Sequence, residues 1–245
     1  MFYINKQSYL GLLGPHSKNI FENEWLASWE VGKKKYIVIL DYDKINYDYI
    51  NAQIPYRFLY FEDIFEKLQG QIKHSKEISI ETDIEKWNCF IGKSWRRIRN
   101  SLNRANEYNI EIRNNYNEDI EKLIKAWREN LANKYFQDHS GKSIFFYKMG
   151  YHKDCINRFY YINNEIVGFG CLSKPINGYA SYIAGKCLCD RYYGLSEFID
   201  CDILKYGKEL GINKINWGQG AKGVLAYKEK FPNSKRVIHY NGQVE

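Results

Sequence analysis

The sequence predicts a mixed α/β fold with a largely antiparallel sheet, and three observations carry that reading. RFYYINNEIVGFGCLS (158–173) is two aromatic and β-branched runs around Asn163-Asn164, a dipeptide suited to a tight hairpin turn. GYASYIAGKCLC (178–189) continues as a third strand. Residues 195, 198, 199, 203, 206 and 210 are then apolar at helical spacing, Gly211 stops that helix, and NKINWG (213–218) reads as the next strand. A meander followed by strand–helix–strand is an antiparallel sheet feeding one βαβ crossover.

The remaining elements follow in chain order. KKKYIVILDY (33–42) is a short β-branched run entered from a lysine cluster, which predicts a buried strand. Residues 61–73 place apolar side chains at 61, 64, 65, 68 and 72, a helical spacing, and EISIETD (77–83) alternates as a strand. SWRRIRNSLNRANEY (94–108) predicts a helix with Ser94 as its N-cap and Trp95, Ile98, Leu102 and Ala105 on its apolar side. NIEIR (109–113) is a strand. Asn117-Glu118-Asp119 caps a helix to about residue 133 with Ile120, Leu123, Ile124, Trp127 and Leu131 on one face. A polar loop (133–143), a short aromatic helix, a final helix around 221–230 and a last strand RVIHY (236–240) complete the order.

Composition narrows the function classes. The formal charge of +7, from 36 Lys and Arg against 29 Asp and Glu, suits an anionic partner such as a nucleotide cofactor, tRNA or a lipid surface. No apolar run reaches the roughly 18 residues that cross a bilayer, and MFYINKQSYLGLLG lacks the layout of a signal peptide, so the expected location is cytoplasmic. The six cysteines form no CxxC pair and are expected as free thiols. Cys187 and Cys189 share one side of a strand, and with five scattered histidines no metal site is predicted.

The stretch CDRYYGLSEFID (189–200) is where a strand hands over to a helix. Backbone amides at a helix N-terminus point outward without partners and favour an anion. Gly194 would let a pyrophosphate approach the backbone, and Arg191 could reach its oxygens with a charge-assisted fork. The same residues also make an ordinary turn, with Ser196 capping the helix and Arg191 in solvent.

Arg191-x-x-Gly194-x-Ser196 resembles the acyl-CoA-binding turn of the GNAT superfamily, whose pattern is Gln or Arg-x-x-Gly-x-Gly or Ala. Ser196 departs from it where Gly or Ala is usual. The resemblance implies acyl-CoA as co-substrate, with no tightly bound cofactor, held by Arg191, Tyr192, Gly194, Leu195 and Ser196. It also implies Tyr227, in GVLAYKEKF (223–231), as general acid toward the departing thiolate. KSWRRIRNSLNRANEYNIEI (93–112) together with Lys228 and Phe231 in a K-x-x-F arrangement is similar to the Fem-type aminoacyltransferases and to the C-terminal domain of phosphatidylglycerol lysyltransferases. That branch implies a GNAT-like fold with a reduced first half (1–105) ending in an Arg-rich connecting helix, and a complete second half (106–245). The resemblance covers the C-terminal half and the connecting helix and places no residue in 1–90.

Direct attack of an amine on a thioester needs an oriented amine, a proton acceptor and a proton donor to sulfur. A free amine with pKa near 10 is mostly charged at pH 7, so a base is required. Glu197 lies next to the turn as a candidate, or as a first-turn acid placed by the helix dipole. Asp138 and His139 could border an acceptor pocket from the 133–143 loop. NWGQG (216–220) ends a strand, where α/β folds bind ligands, so Asn216, Trp217 and Gln219 are candidate acceptor contacts and Lys228 a candidate partner for a phosphate or carboxylate. Lys93, Arg96, Arg97, Arg99 and Arg104 could grip tRNA phosphates. The expected function is therefore N-acyl transfer from acyl-CoA to the primary amine of a small molecule, amino sugar or peptide. An aminoacyl-tRNA donor is the second reading and a non-enzymatic basic RNA- or membrane-surface-binding module the third.

Overall fold

The computed structural model describes residues 8–86, 91–114, 120–127, 129, 147–148, 151–220 and 222–245. The meander read from sequence is present: β7 (Cys155–Ile162), β8 (Glu165–Ser173) and β9 (Tyr179–Cys187) run antiparallel to one another. The β7–β8 turn is formed by Asn163 and Asn164 at φ 49° and 63°, the left-handed conformation that asparagine tolerates best after glycine. α4 (Leu195–Glu209) then crosses over to β10 (Lys214–Gln219), which pairs parallel with β9. Gly211 ends that helix at φ 76°.

Ahead of the meander lie β1 (Ser17–Glu22), β2 (Leu26–Val31), β3 (Lys34–Ile39), α1 (Tyr47–Asn51), β4 (Tyr56–Phe61), β5 (Ile72–Asp83), α2 (Arg96–Ala105), β6 (Glu111–Arg113) and α3 (Ile120–Trp127). After β10 come α5 (Lys222–Lys228) and β11 (Ser234–Val244). Among the described residues the strands join one sheet in the order β1-β2-β3-β4-β11-β5-β10-β9-β8-β7-β6. The chain's last strand thus returns to lie between β4 and β5.

Strand alternation assigns the core. Phe159, Tyr161, Phe169 and Cys171 face Ile120, Leu123 and Ile124 of α3. Tyr160, Ile162, Val167 and Leu172 face Ile199, Ile203 and Leu204 of α4 together with Trp95 and Ile98 of α2. A third cluster of Leu26, Ile37, Ile39, Ile50, Phe58 and Phe61 lies under α1.

Two expectations change. The helix predicted over 61–73 is the end of β4, a 3-10 turn at Phe65–Lys67 and the start of β5. Its helix-spaced residues Phe61, Ile64, Phe65, Leu68 and Ile72 do share a core, but they join the cluster under α1 from an irregular path. Continuous pairing of β5 with β11 from Ile72 onward outweighs local helix periodicity. Ser94 is not a helix cap: it sits inside a 3-10 turn, Lys93–Trp95, and α2 starts after Trp95 without a side-chain cap. The 117–119 cap, the 133–143 loop with Asp138 and His139, and Leu131 lie outside the described residues.

Candidate active site

β9 and β10 pair at Tyr179↔Lys214, Ala180↔Ile215 and Ser181↔Asn216, and then part. β10 also slips register against β5 between Asn216 and Gln219. The gap is a cleft of about 480 Å³ whose walls include Tyr182 and Lys186 of β9, Ser196 and Asp200 of α4, Trp217 of β10 and Tyr227 of α5. Parallel strands that splay at their ends are where α/β sheets admit ligands.

Of the residues singled out in the sequence, Ser196, Trp217, Gln219, Tyr227 and Lys228 meet in this cleft. Trp217 is 4% exposed and held from three sides. Its Nε1 donates to Thr82 Oγ1 at 2.8 Å, and its ring lies 5.8 Å from that of Phe231 and 5.1 Å from that of Tyr182. Gln219 hydrogen-bonds His239, whose pKa burial lowers to about 4. Lys228 is not an exposed helix lysine. Its ammonium donates to the carbonyls of Trp217 (2.5 Å), Gly218 (3.2 Å) and Gln219 (2.9 Å), tying α5 to the end of β10. Burial there lowers its pKa to about 8.

The other candidates point elsewhere. Asn216 alternates to the opposite face of β10 from Trp217, where Nδ2 reaches Ser79 Oγ (3.3 Å) and the Tyr179 hydroxyl (3.2 Å); it does not line the cleft. Arg191 Nη1 lies 3.6 Å from Glu165 Oε1 at the meander turn. Leu195 is fully buried in the core and Tyr192 meets Tyr108 edge-on at 5.3 Å. Gly194 has φ 84°, and a Cβ there would stand 2.2 Å from the Ser101 carbonyl oxygen. The glycine therefore serves the close approach of α4's opening turn to α2. The space that a Cβ of Gly194 would take is filled by α2 backbone. Ser196 is not a cap; its Oγ donates to Glu197 Oε2 at 2.8 Å. Glu197 also pairs with Lys230. Burial pushes the Glu197 carboxyl up, but the Lys230 hydrogen bond and charge outweigh it and hold it below the ordinary carboxylate value.

The sequence reading missed two titratable groups in the cleft. Asp200 sits one turn beyond Ser196 on the same face of α4, and the Tyr227 hydroxyl donates to its Oδ2 at 2.7 Å. Burial raises the Asp200 pKa to about 7, against the opposing effects of the Tyr227 hydrogen bond and the Lys230 charge. Tyr227 is pushed far up by burial and by the neighbouring Asp200 and Glu197 carboxylates, so it keeps its proton throughout the physiological range. The signal for Asp200 was an acid bordering the apolar stripe of a helix between Ile199 and Cys201. Lys186, on the other face of the sheet, lays its ammonium 4.9 Å from the ring centre of Trp127, and burial lowers its pKa. Cys187 and Cys189 both border the cleft. Among the described residues no three His, Cys, Asp or Glu side chains converge as a metal site. No described helix is long and apolar enough to cross a membrane.

No protein-family model matches the sequence, and no curated protein matches it. Solved structures do. They include the DUF2156 C-terminal domain assigned to a lysylphosphatidylglycerol synthetase of Agrobacterium fabrum, at 13% identity and TM-score 0.72, covering 98% of this chain and 87% of that one. FemX is similar at 12% identity and TM-score 0.63, over 99% of this chain and 92% of that one. A GNAT-family acetyltransferase from Colwellia psychrerythraea is similar at 7% identity and TM-score 0.51, over 91% and 82%. The chain has the GNAT-like fold in the form shared with FemX and the lysylphosphatidylglycerol synthetase C-terminal domain.

Proposed function

We propose that the protein is a transferase that moves an acyl or aminoacyl group onto an amine in the cleft between β9 and β10. The observation that supports this most is the Tyr227–Asp200 pair facing the gap where strand pairing stops. A carboxyl with pKa about 7 is poised to take a proton at neutral pH, which is what an attacking ammonium must lose. Tyr227 donates to that carboxylate. In this reading its first task is to orient Asp200 and stabilise its ionised form. The same hydroxyl, still protonated and in the cleft wall, is the donor available to a leaving group once Asp200 has accepted its proton. The edge of β9 beyond Ser181, unpaired toward β10, is placed to offer backbone amides to the carbonyl oxygen of the acyl group.

Acyl-CoA is the first donor to test, its phosphates lying at the first-turn amides of Ser196 and Glu197, which have no intrahelical acceptor. A second reading, aminoacyl-tRNA, is favoured by α2. Arg96, Arg97 and Arg104 are exposed, and Ser101 of the same helix packs on Gly194, so this basic helix lies against the turn that opens α4. The experiment is transfer of label from acetyl-CoA, and separately from charged tRNA, to a panel of amines, with Asp200→Asn as control. Transfer from either donor that Asp200→Asn abolishes supports the reading. Transfer unaffected by that change removes it.

A further inference from the structure

The proposed cleft opens on both faces of the sheet, and the two faces differ in charge. On the α4 and α5 side stand Asp200 and the Tyr227 hydroxyl. On the α3 side, Lys186 pairs in register with Phe169 of β8, and its ammonium faces the Trp127 ring. The other enclosed cations near this region have acceptors. Lys228 is on three carbonyls, Lys230 on Glu197, and Arg158 on Asp202 at 2.8 Å through two nitrogens. Lys186, among the described residues, has the indole face of Trp127 and no carboxylate.

A half-buried ammonium with only an aromatic face for company gains when an anion joins it. Lys186 and Lys228 also feel one another across the gap: the charge of Lys186 contributes, after burial, to lowering the Lys228 pKa. Two cations flanking one gap, with the ammonium of Lys228 already fully bonded, leave a positive potential whose open donor is Lys186. The α3 mouth therefore carries the open cation Lys186, whereas on the α4 and α5 side the carboxyls of Asp200 and Glu197 stand beside the already bonded Lys228 and Lys230.

We propose that Lys186 holds an acidic group, carboxylate or phosphate, belonging to the acceptor itself, so that the acceptor is an amine that also carries an acid. This rests on the transferase reading and adds the acceptor's chemical class. The amine end goes to Asp200 and the acid end to Lys186. A reversed acceptor would set its acid against Asp200 and its ammonium against Lys186.

Because Trp127 and Trp217 both line the cleft, their fluorescence reports binding without any turnover. The purified protein is titrated with β-alanine, 4-aminobutanoate and 6-aminohexanoate, each against its neutral amide, and with O-phosphoethanolamine against ethanolamine. The chain-length series accommodates whatever spacing the cleft requires. The expected result is at least one acid binding about tenfold or more tightly than its neutral counterpart, the carboxylate and phosphate arms showing which acid is preferred. Lys186→Met removes that preference and Lys186→Arg keeps it. Equal binding of acids and neutral partners, absence of acid binding, or a preference that survives Lys186→Met overturns the proposal. Acid selectivity in a protein that transfers nothing would stand against the transferase reading alone. Transfer to neutral amines with no acid selectivity would stand against this proposal alone.

Discussion

The sheet contains two neighbouring ladders that behave in opposite ways. β5 and β11 stay in register without a break from Thr82↔Ser234 to Ile72↔Val244. β9 and β10 keep three positions in register and separate. The Val244 end of the first ladder joins an apolar cluster with Ile37, Phe58 and Phe61, and its one buried carboxylate, Glu81, is paired with Lys235 across the ladder. The walls of the second hold Asp200, Tyr227, Lys186 and Lys228. A continuous ladder satisfies its backbone groups internally and leaves no strand edge open. A ladder that stops early leaves strand edge, space and buried titratable groups in one place, at a cost in stability that the continuous ladder is positioned to offset.

Asp200→Asn is expected to separate these roles most sharply. If Asp200 is the proton acceptor, kcat falls by roughly 10²- to 10⁴-fold. Stability should move the other way. Burial raises the Asp200 pKa to about 7, so the folded state binds this proton more tightly than the unfolded chain does. Below the ordinary aspartate range both states are protonated and the carboxyl carries no penalty. As pH rises through about 7 the penalty grows to its full size. Asparagine removes it, so at pH 8 the variant should be more stable by about 2–4 kcal/mol, fading to little by pH 4. Urea unfolding at both pH values checks this, and a variant destabilised at pH 8 would make Asp200 a structural residue.

The converse change belongs in the continuous ladder. A Cβ at Gly242 would stand 2.2 Å from the Lys73 carbonyl oxygen and 2.6 Å from Phe58 Cζ, so the strands cannot close around alanine. Gly242→Ala should cost about 2–4 kcal/mol in unfolding experiments. Corrected for the folded fraction, transfer kinetics should be unchanged. A changed KM in the folded fraction would show that the cleft depends on the neighbouring ladder, and the contrast between the two would fail.

The same contrast sets how much could be read from sequence. The meander, its Asn163-Asn164 turn, α4 and its Gly211 stop were legible because each obeys a local rule: alternation, a left-handed dipeptide, a helical stripe, a glycine C-cap. β4 is not legible locally, and 61–73 reads as a helix, because pairing with β11, more than 160 positions away along the chain, decides that region. The turn at 191–196 was found, but its glycine answers to Ser101, a contact no local pattern reveals. Tyr227 is singled out by resemblance alone, and its position in the cleft wall comes from the structure. Asp200 was passed over because an acid beside a stripe of Leu195, Ile199 and Ile203 looks like the helix's wet edge until α5 closes over it.

Tyr227→Phe gives a smaller, diagnostic effect. The Tyr227 hydrogen bond holds the Asp200 pKa down against burial. Without it the acidic limb of the kcat/KM profile should move to higher pH, with roughly a threefold to tenfold loss at pH 6–7 and recovery above the new limb. Whatever loss persists above the new limb measures the hydroxyl's second task, protonating the leaving group; an unshifted limb would remove its first.

The smallest expected effect tests whether the donor lies along α2. Arg96 and Arg97 occupy the exposed side of that helix, while Ile98, Ser101 and Ala105 are buried on the other, so charge reversal there leaves the packing against Gly194 intact. A donor held through a phosphate chain loses counterions on binding, and each phosphate contact removed lowers the salt dependence by about one power of concentration. Arg96→Glu with Arg97→Glu should therefore weaken an aminoacyl-tRNA donor severalfold at low salt and flatten its salt dependence, with kcat preserved. An acyl-CoA donor seated at the first turn of α4 should feel the same change less than about twofold, because its phosphates contact backbone amides that the substitution does not touch. The ratio of the two effects identifies the donor.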